Sequence, residues 1–200
     1  MNAQEAQTRI MNYIRANSGF ETHRTYIGMS HLSECLRKQY FDYRDGLTPT
    51  DQSYLGAFAG YTFERIEKDI LGEIGIIQEV EREIVAPFDN LVRGHIDAET
   101  VDGDLCELKS VNARKFERVE AGPLKEHIEQ VQAYMHFGGY KQTLLVYVCR
   151  DTFDHKVFTI NYRPDVGEQL EWNAKVLVDA IHNNTPPACT CRPGHTISHP

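Results

Sequence analysis

The sequence predicts an α/β domain in which helices pack on a mixed central β-sheet, and three observations lead to it. Apolar residues recur at helical spacing through the first third of the chain. The stretch over residues 76–111 then changes to strand-like runs about an Asp-Gly turn, and from Pro123 onward helix, strand, strand and helix follow one another. With 200 residues, 41% of them hydrophobic and 25% charged, the chain is long enough to bury a full core and has the composition of an ordinary folded protein. No repeat, low-complexity tract or long linker divides it. One domain over 1–200 is expected: a helical part over 1–75, sheet and helix over 76–162, and a closing helix with a cysteine-bearing tail over 163–200.

Each element has its own signal. Ile10, Met11 and Ile14 mark a short amphipathic helix over 3–16, stopped by the turn residues 17–19. Ser30 is placed to cap a second helix carrying Leu32, Cys35, Leu36, Tyr40 and Tyr43, with Gly46 to end it and Arg37, Lys38 and Arg44 along it. A third helix runs from about Asp51 through Leu55, Phe58, Phe63, Ile66 and Ile70 toward Gly72 and Gly75, so the first third reads as all helix. Residues 76–87 alternate in their second half, and runs over 91–101 and 105–111 flank Asp102-Gly103, a strong hairpin signal; a meander of three strands is expected. Pro123 opens a helix with Ile128, Val131 and Met135 on its apolar face, joined less regularly by Tyr134 and Phe137, ending at Gly138-Gly139. Strands over 143–150 and 156–162 and a helix over 165–181 complete the series, and the tail from Asn183, with Pro186, Pro187 and Pro193, reads as loop.

Charge and cysteine usage narrow the function classes. Lys and Arg number 21 against 29 Asp and Glu, a net charge of −8, which argues against a protein that holds nucleic acid by bulk positive charge alone. It leaves room for an enzyme with a carboxylate cluster and basic groups confined to one groove. No apolar run approaches the roughly 18–20 residues of a membrane span, and residues 1–15 lack a signal-peptide core, so a cytoplasmic protein is expected. The five cysteines, odd in number and widely spread, argue against a disulfide framework and leave thiol or metal-ligand roles.

The most informative stretch is Gly94-His95-Ile96-Asp97, the Asp102-Gly103 turn, and then Glu107-Leu108-Lys109. In one hairpin, Asp97 ends the first strand while Glu107 and Lys109, two apart, project from the same face of the second. Two carboxylates so placed repel, and burying them unpaired is costly, so a divalent cation between them makes physical sense; oxygen ligands favour Mg²⁺ or Mn²⁺. The pattern resembles the D…(D/E)xK core of the PD-(D/E)XK nuclease superfamily. Earlier in the chain, the residues from Ser30 to Phe41 are similar to the opening helix of its RecB-like branch, which includes CRISPR-associated exonucleases. Gly60-Tyr61-Thr62-Phe63-Glu64 resembles a Gly-x-x-x-His/Glu helix, with glutamate where many relatives carry histidine. Gln130-Val131-Gln132-Ala133-Tyr134 reads as the Q-x-x-x-Y motif, its two named side chains on one helix face.

The resemblance implies a restriction-endonuclease-like fold and metal-dependent hydrolysis of DNA phosphodiesters, most readily as an exonuclease in recombination, repair or phage DNA processing. A structure-specific endonuclease and a non-catalytic binding module are the alternatives. It implies Asp97, Glu107 and Lys109 as the catalytic set, with Glu64, Asp97, Glu107 and the Leu108 carbonyl around one or two Mg²⁺ or Mn²⁺ ions. Gln130 and Tyr134 would orient substrate, and Arg37, Lys38, Arg114, Lys115 and Arg118 would meet DNA phosphates. His95, two residues before Asp97, alternates to the carboxylate's face, though a structural histidine is the plainer reading. Several RecB-like nucleases hold an iron–sulfur cluster with one cysteine in the opening helix and three near the C-terminus. Cys35 matches the first position, but the tail offers only Cys189 and Cys191; His195 or His199 would be needed to complete a Cys₃His zinc site instead. Cys106 and Cys149 fall in strands and read as small buried hydrophobes. Without a helicase or ATP-binding motif, processive action would require a homo-oligomer or a helicase partner.

Overall fold

The computed structural model describes residues 2–78 and 82–189. Helix α1 (Ala3–Asn17) starts at Asn2, whose side chain accepts the Glu5 amide at 2.8 Å, and none of its residues is buried. A short strand, β1 (Ile27–Gly28), and a 3₁₀ turn over Met29–His31 precede α2 (Leu36–Asp45). Helix α3 (Asp51–Glu73) opens on a capping box between Thr50 and Ser53. Strands β2 (Ile77–Gln78), β3 (Arg82–Val85), β4 (Val92–Ile96), β5 (Ala98–Thr100) and β6 (Leu105–Val111) follow, then α4 (Ala113–Arg118) and α5 (Lys125–Gly138). Strands β7 (Gln142–Cys149) and β8 (His155–Asn161) lead into α6 (Pro164–His182), which has Pro164 in its first turn, where a missing amide hydrogen costs nothing.

The expected α/β class, with helices flanking mixed strands, is what the chain adopts. The strands form two sheets rather than one: β1-β4-β3, with β1 parallel and β3 antiparallel to β4, and β2-β5-β6-β7-β8, in which β6 and β7 run parallel and the other pairs antiparallel. Three expectations are corrected. The strand over 91–101 is broken at Asp97, where the chain leaves the three-stranded sheet for the five-stranded one. The first third is not all helix, because β1 pairs with β4. The second helix starts at Leu36, capped by Cys35 without a side-chain bond, because Met29 and Leu32 are drawn into the core by a tighter turn that Ser30 enters.

Strand β6 is central and buried on both faces, which fixes where its side chains go. Leu105 and Val111 join the main core with Leu145, Tyr147, Val131, Met135 and Leu177, beneath α5 and α6. Cys106 and Leu108, alternating to the other face, pack with Ala98, Val146 and Leu71 beneath α3. Glu107 and Lys109 therefore share the face that carries Leu105 and Val111. Gly103, at φ +88°, makes the tight turn between β5 and β6 in a region that a side chain would strain. Among the described residues no helix is long and apolar enough to cross a membrane.

Candidate active site

The site begins with the break at Asp97. The β5–β6 ladder ends at the Ala98–Cys106 pair, and the Leu108 amide beyond it donates to Asp97 Oδ2 at 2.8 Å. The carboxylate thus takes the place of the backbone acceptor that a continuous strand would have offered. This sets Asp97 beside Glu107, only 1% exposed, whose Oε1 accepts Lys109 Nζ at 2.5 Å and Gln130 Nε2 at 2.6 Å from α5. Three of the expected site residues, Glu107, Lys109 and Gln130, are joined directly, and Asp97 is tied to the same strand through its neighbour Leu108.

The electrostatics follow from burial. Burial raises the Asp97 carboxyl well above the usual carboxylate range, Glu107 adds to the rise, and Lys109 opposes it. Glu107 is raised for the same first reason, against the pull of Lys109. Burial alone would lower Lys109, yet Glu107 and Asp97 hold its ammonium above the ordinary lysine value. Glu64, on α3, adds its charge to all three groups and is itself paired with Lys68 at 2.6 Å. Three carboxylates therefore face two lysines.

Glu107 Oε2 is buried and accepts no hydrogen bond. A buried carboxylate oxygen without a donor, next to a second carboxylate, leaves a deficit of positive charge that a hard cation fits. Among the described residues, no group of three or more His, Cys, Asp or Glu side chains is gathered closely enough to hold an ion; Lys68 lies against Glu64 and Lys109 against Glu107.

Tyr134 lies one helical turn beyond Gln130, its ring buried against β4, and burial with the charges of Glu107 and Asp97 raises its hydroxyl far above the usual tyrosine value. Gly94 makes this possible: a Cβ there would stand 2.6 Å from Tyr134 Cε1 and 3.2 Å from Met29 Cβ. Sequence reasoning missed this close approach, as it missed Lys68, His127 and Gln132. The His127 ring meets Tyr147 Oη at 2.8 Å, and burial, with Lys109 adding, pushes its imidazole down to about 4. Gln132 is fully buried; its Nε2 donates to the Asn161 carbonyl at 2.8 Å and its Oε1 accepts the Arg163 amide at 2.7 Å, binding α5 to the start of α6.

The basic residues expected at phosphates divide into two groups. Arg37 donates to the Pro187 carbonyl at 3.2 Å and lies over the Phe41 ring, while Lys38 pairs with Asp42 at 2.6 Å and Glu34 at 3.4 Å. Arg114, Lys115 and Arg118 stand exposed on α4, directly after β6. His95 is exposed and stands 3.9 Å from Glu83 on the neighbouring strand. Cys35 and Cys189 come together across 154 residues with their sulfurs 3.7 Å apart. Cys191, His195 and His199 lie outside the described residues. Cys106 and Cys149 are buried as expected, and burial pushes the Cys106 thiol up to about 12.

No family model and no curated protein matches the sequence. Solved structures do match in fold. The alkaline exonuclease LHK-Exo from Laribacter hongkongensis superposes with a TM-score of 0.63 at 15% identity, covering 86% of this chain and 93% of that one. LHK-Exo in complex with dAMP gives 0.64 at 15% identity, over 80% and 89%. SSO0001 gives 0.59 at 16% identity, over 93% and 89%. This chain shares its fold, a restriction-endonuclease-like one, with LHK-Exo and SSO0001. In that fold Asp97 stands at the β4–β5 junction, and Glu107 and Lys109 stand on β6.

Proposed function

We propose that this chain is a divalent-metal-dependent DNA nuclease of the RecB-like branch, acting as an exonuclease. The observation that carries the reading is the convergence of Asp97, Glu107, Lys109 and Gln130 at a break between two sheets, with one carboxylate oxygen of Glu107 buried and without a donor. Likeness in fold to an alkaline exonuclease supports the exonuclease form. Asp97, Glu107, Glu64 and the Leu108 carbonyl would hold Mg²⁺ or Mn²⁺, which when bound supplies charge stabilisation at the phosphoryl group and acidifies water.

The chain's own residues have separate tasks. Lys109, held as an ammonium by its two carboxylates, acts as a donor that orients the attacking water and offsets charge on phosphorus, rather than as a base. Gln130 fixes the Glu107 carboxylate through its amide, so its part is positioning. Tyr134 walls the site, and Arg114, Lys115 and Arg118 stand ready for the DNA backbone.

The test incubates wild type and Lys109→Ala with end-labelled linear DNA and covalently closed circles, in Mg²⁺, Mn²⁺ or EDTA. Metal-dependent loss of linear DNA alone, lowered at least roughly 100-fold in Lys109→Ala, is expected from the loss of a donor at the reacting group. Cutting of the closed circle would replace exonuclease with endonuclease, and inactivity in every metal would overturn the enzyme reading.

A further inference from the structure

Helices α1 and α3 are joined along one side by Tyr13 against Phe58 and by Arg15 against Asp51, and between them lies an open groove of about 500 Å³. Its walls are Tyr13, Asn17, Phe58, Tyr61, Thr62 and Arg65. Two features set it apart from an ordinary helix contact. Tyr13 is 63% exposed and Tyr61 56%, so two large rings stand in solvent on facing helices. Arg65, also exposed, makes no ion pair or hydrogen bond with the described residues, whereas Arg9 and Arg15 on the facing helix are paired.

The groove runs beside the stretch of α3 that carries Glu64. On α3, Tyr61, Glu64 and Lys68 stand one above another at spacings of three and four, with Glu64 about 4.5 Å along the axis from Tyr61. Phe58, Tyr61, Thr62 and Arg65 form the adjoining face, turned to α1, while Glu67 and Leu71 lie on the face turned to the sheet. One edge of α3 therefore separates the groove from the carboxylates.

We infer that this groove is a binding track for unpaired nucleotides, in which Tyr61 and Tyr13 stack bases and Arg65 meets a backbone phosphate, leading a single strand past Glu64. The inference rests on the nuclease reading for its substrate. Base stacking on exposed rings, with one unpaired guanidinium, suits a chain with net charge −8, which cannot hold DNA through a broad basic surface. A second protein molecule on the same rings would leave Arg65 without a role.

The test measures binding of a fluorescein-labelled oligothymidylate by anisotropy in EDTA, so that nothing is cut. Wild type is compared with Tyr61→Ala, Tyr61→Phe, Arg65→Ala and Trp172→Ala, the last an exposed aromatic on α6 away from the groove. Tyr61→Ala is expected to weaken binding roughly 10-fold or more and Tyr61→Phe to restore it, because the ring and not the hydroxyl stacks. Arg65→Ala should weaken binding and flatten its salt dependence, and Trp172→Ala should leave it unchanged. Equal affinity for Tyr61→Ala and wild type overturns the inference. So does a concentration-dependent dimer, seen by sedimentation, that Tyr61→Ala abolishes without changing DNA affinity. Tyr61-dependent binding in a protein that hydrolyses no DNA in any metal would retain the track and remove the nuclease reading.

Discussion

The closest packing in the site gives the sharpest test of how it is held. Adding a methyl group at Gly94 would bring Cβ to 2.6 Å from the Tyr134 ring and 3.2 Å from Met29 Cβ, and Tyr134 and Met29 are both buried. The ring cannot swing away into solvent, so Gly94→Ala should cost about 1–3 kcal/mol, as overpacking does. For a chain of this size that lowers the melting temperature by roughly 2–12 °C. Tyr134→Ala alone should cost about 3–5 kcal/mol, by analogy with other buried aromatics. Combining the two changes should remove most of that cost. With the ring gone, only the 3.2 Å approach to Met29 Cβ remains, and Gly94 is not among the glycines at positive φ, so alanine meets no backbone strain there. A double-mutant cycle by urea or thermal denaturation should therefore return a coupling of about 1–3 kcal/mol. Should Gly94→Ala cost the same in both backgrounds, the glycine is not there for Tyr134 and the argument from close approach is wrong.

Three further outcomes are expected. Asp97→Asn keeps the acceptor for the Leu108 amide but removes a charge that burial and Glu107 disfavour; since the folded state holds that proton more tightly, the ionised form destabilises the fold above the usual carboxylate range. In EDTA the variant should melt higher than wild type at neutral pH and converge with it in acid, while Mn²⁺ should raise the melting temperature of wild type alone; a lower neutral melting point for the variant would contradict this. The neutral His127 ring, pushed down to about 4, stabilises the fold fully above pH about 6.5, and this stability is lost as pH falls toward 4, so the melting temperature of His127→Gln should fall less steeply across that window. Gln132→Leu strands the Asn161 carbonyl and the Arg163 amide and should cost about 2–5 kcal/mol in a urea titration, whereas Gln130→Leu, two residues away, should show its main effect in hydrolysis rate.

The carboxylates and lysine were legible because their spacing is a property of one strand, and period two puts Glu107 and Lys109 on one face whatever the rest of the chain does. The Gln130 and Tyr134 pair was legible for the matching reason on a helix. What stayed hidden depends on partners far along the chain. Alternation runs unbroken through Ile96, Asp97 and Ala98, so nothing local tells that the strand changes sheets between them. Ser30 has the chemistry of a helix cap, but the burial of Met29 and Leu32 outweighs it. Gln130 and Gln132 are the same residue type on one helix, and only the position of Glu107, Asn161 and Arg163 separates the amide that reaches the buried carboxylate from the one that ties α5 to α6. Arg37 reads as a free basic group until the tail, 150 residues away, supplies the Pro187 carbonyl.

The early segment and the late one are stitched together at several points: Asn173 to the Leu32 carbonyl, Tyr40 to Asn184, Arg37 to Pro187, and Cys35 beside Cys189, at separations of 141 to 154 residues. Leu32 and Tyr40 share their core with Leu170, Ala174 and Leu177 of α6. During synthesis, then, α2 emerges from the ribosome well over a hundred residues before the surface that covers it, and must wait with its apolar side in water or in the keeping of a chaperone. A nascent chain arrested before Pro164 should leave α2 open to protease while β6 and β7 are already paired. The making of α6 decides when α2 can be covered.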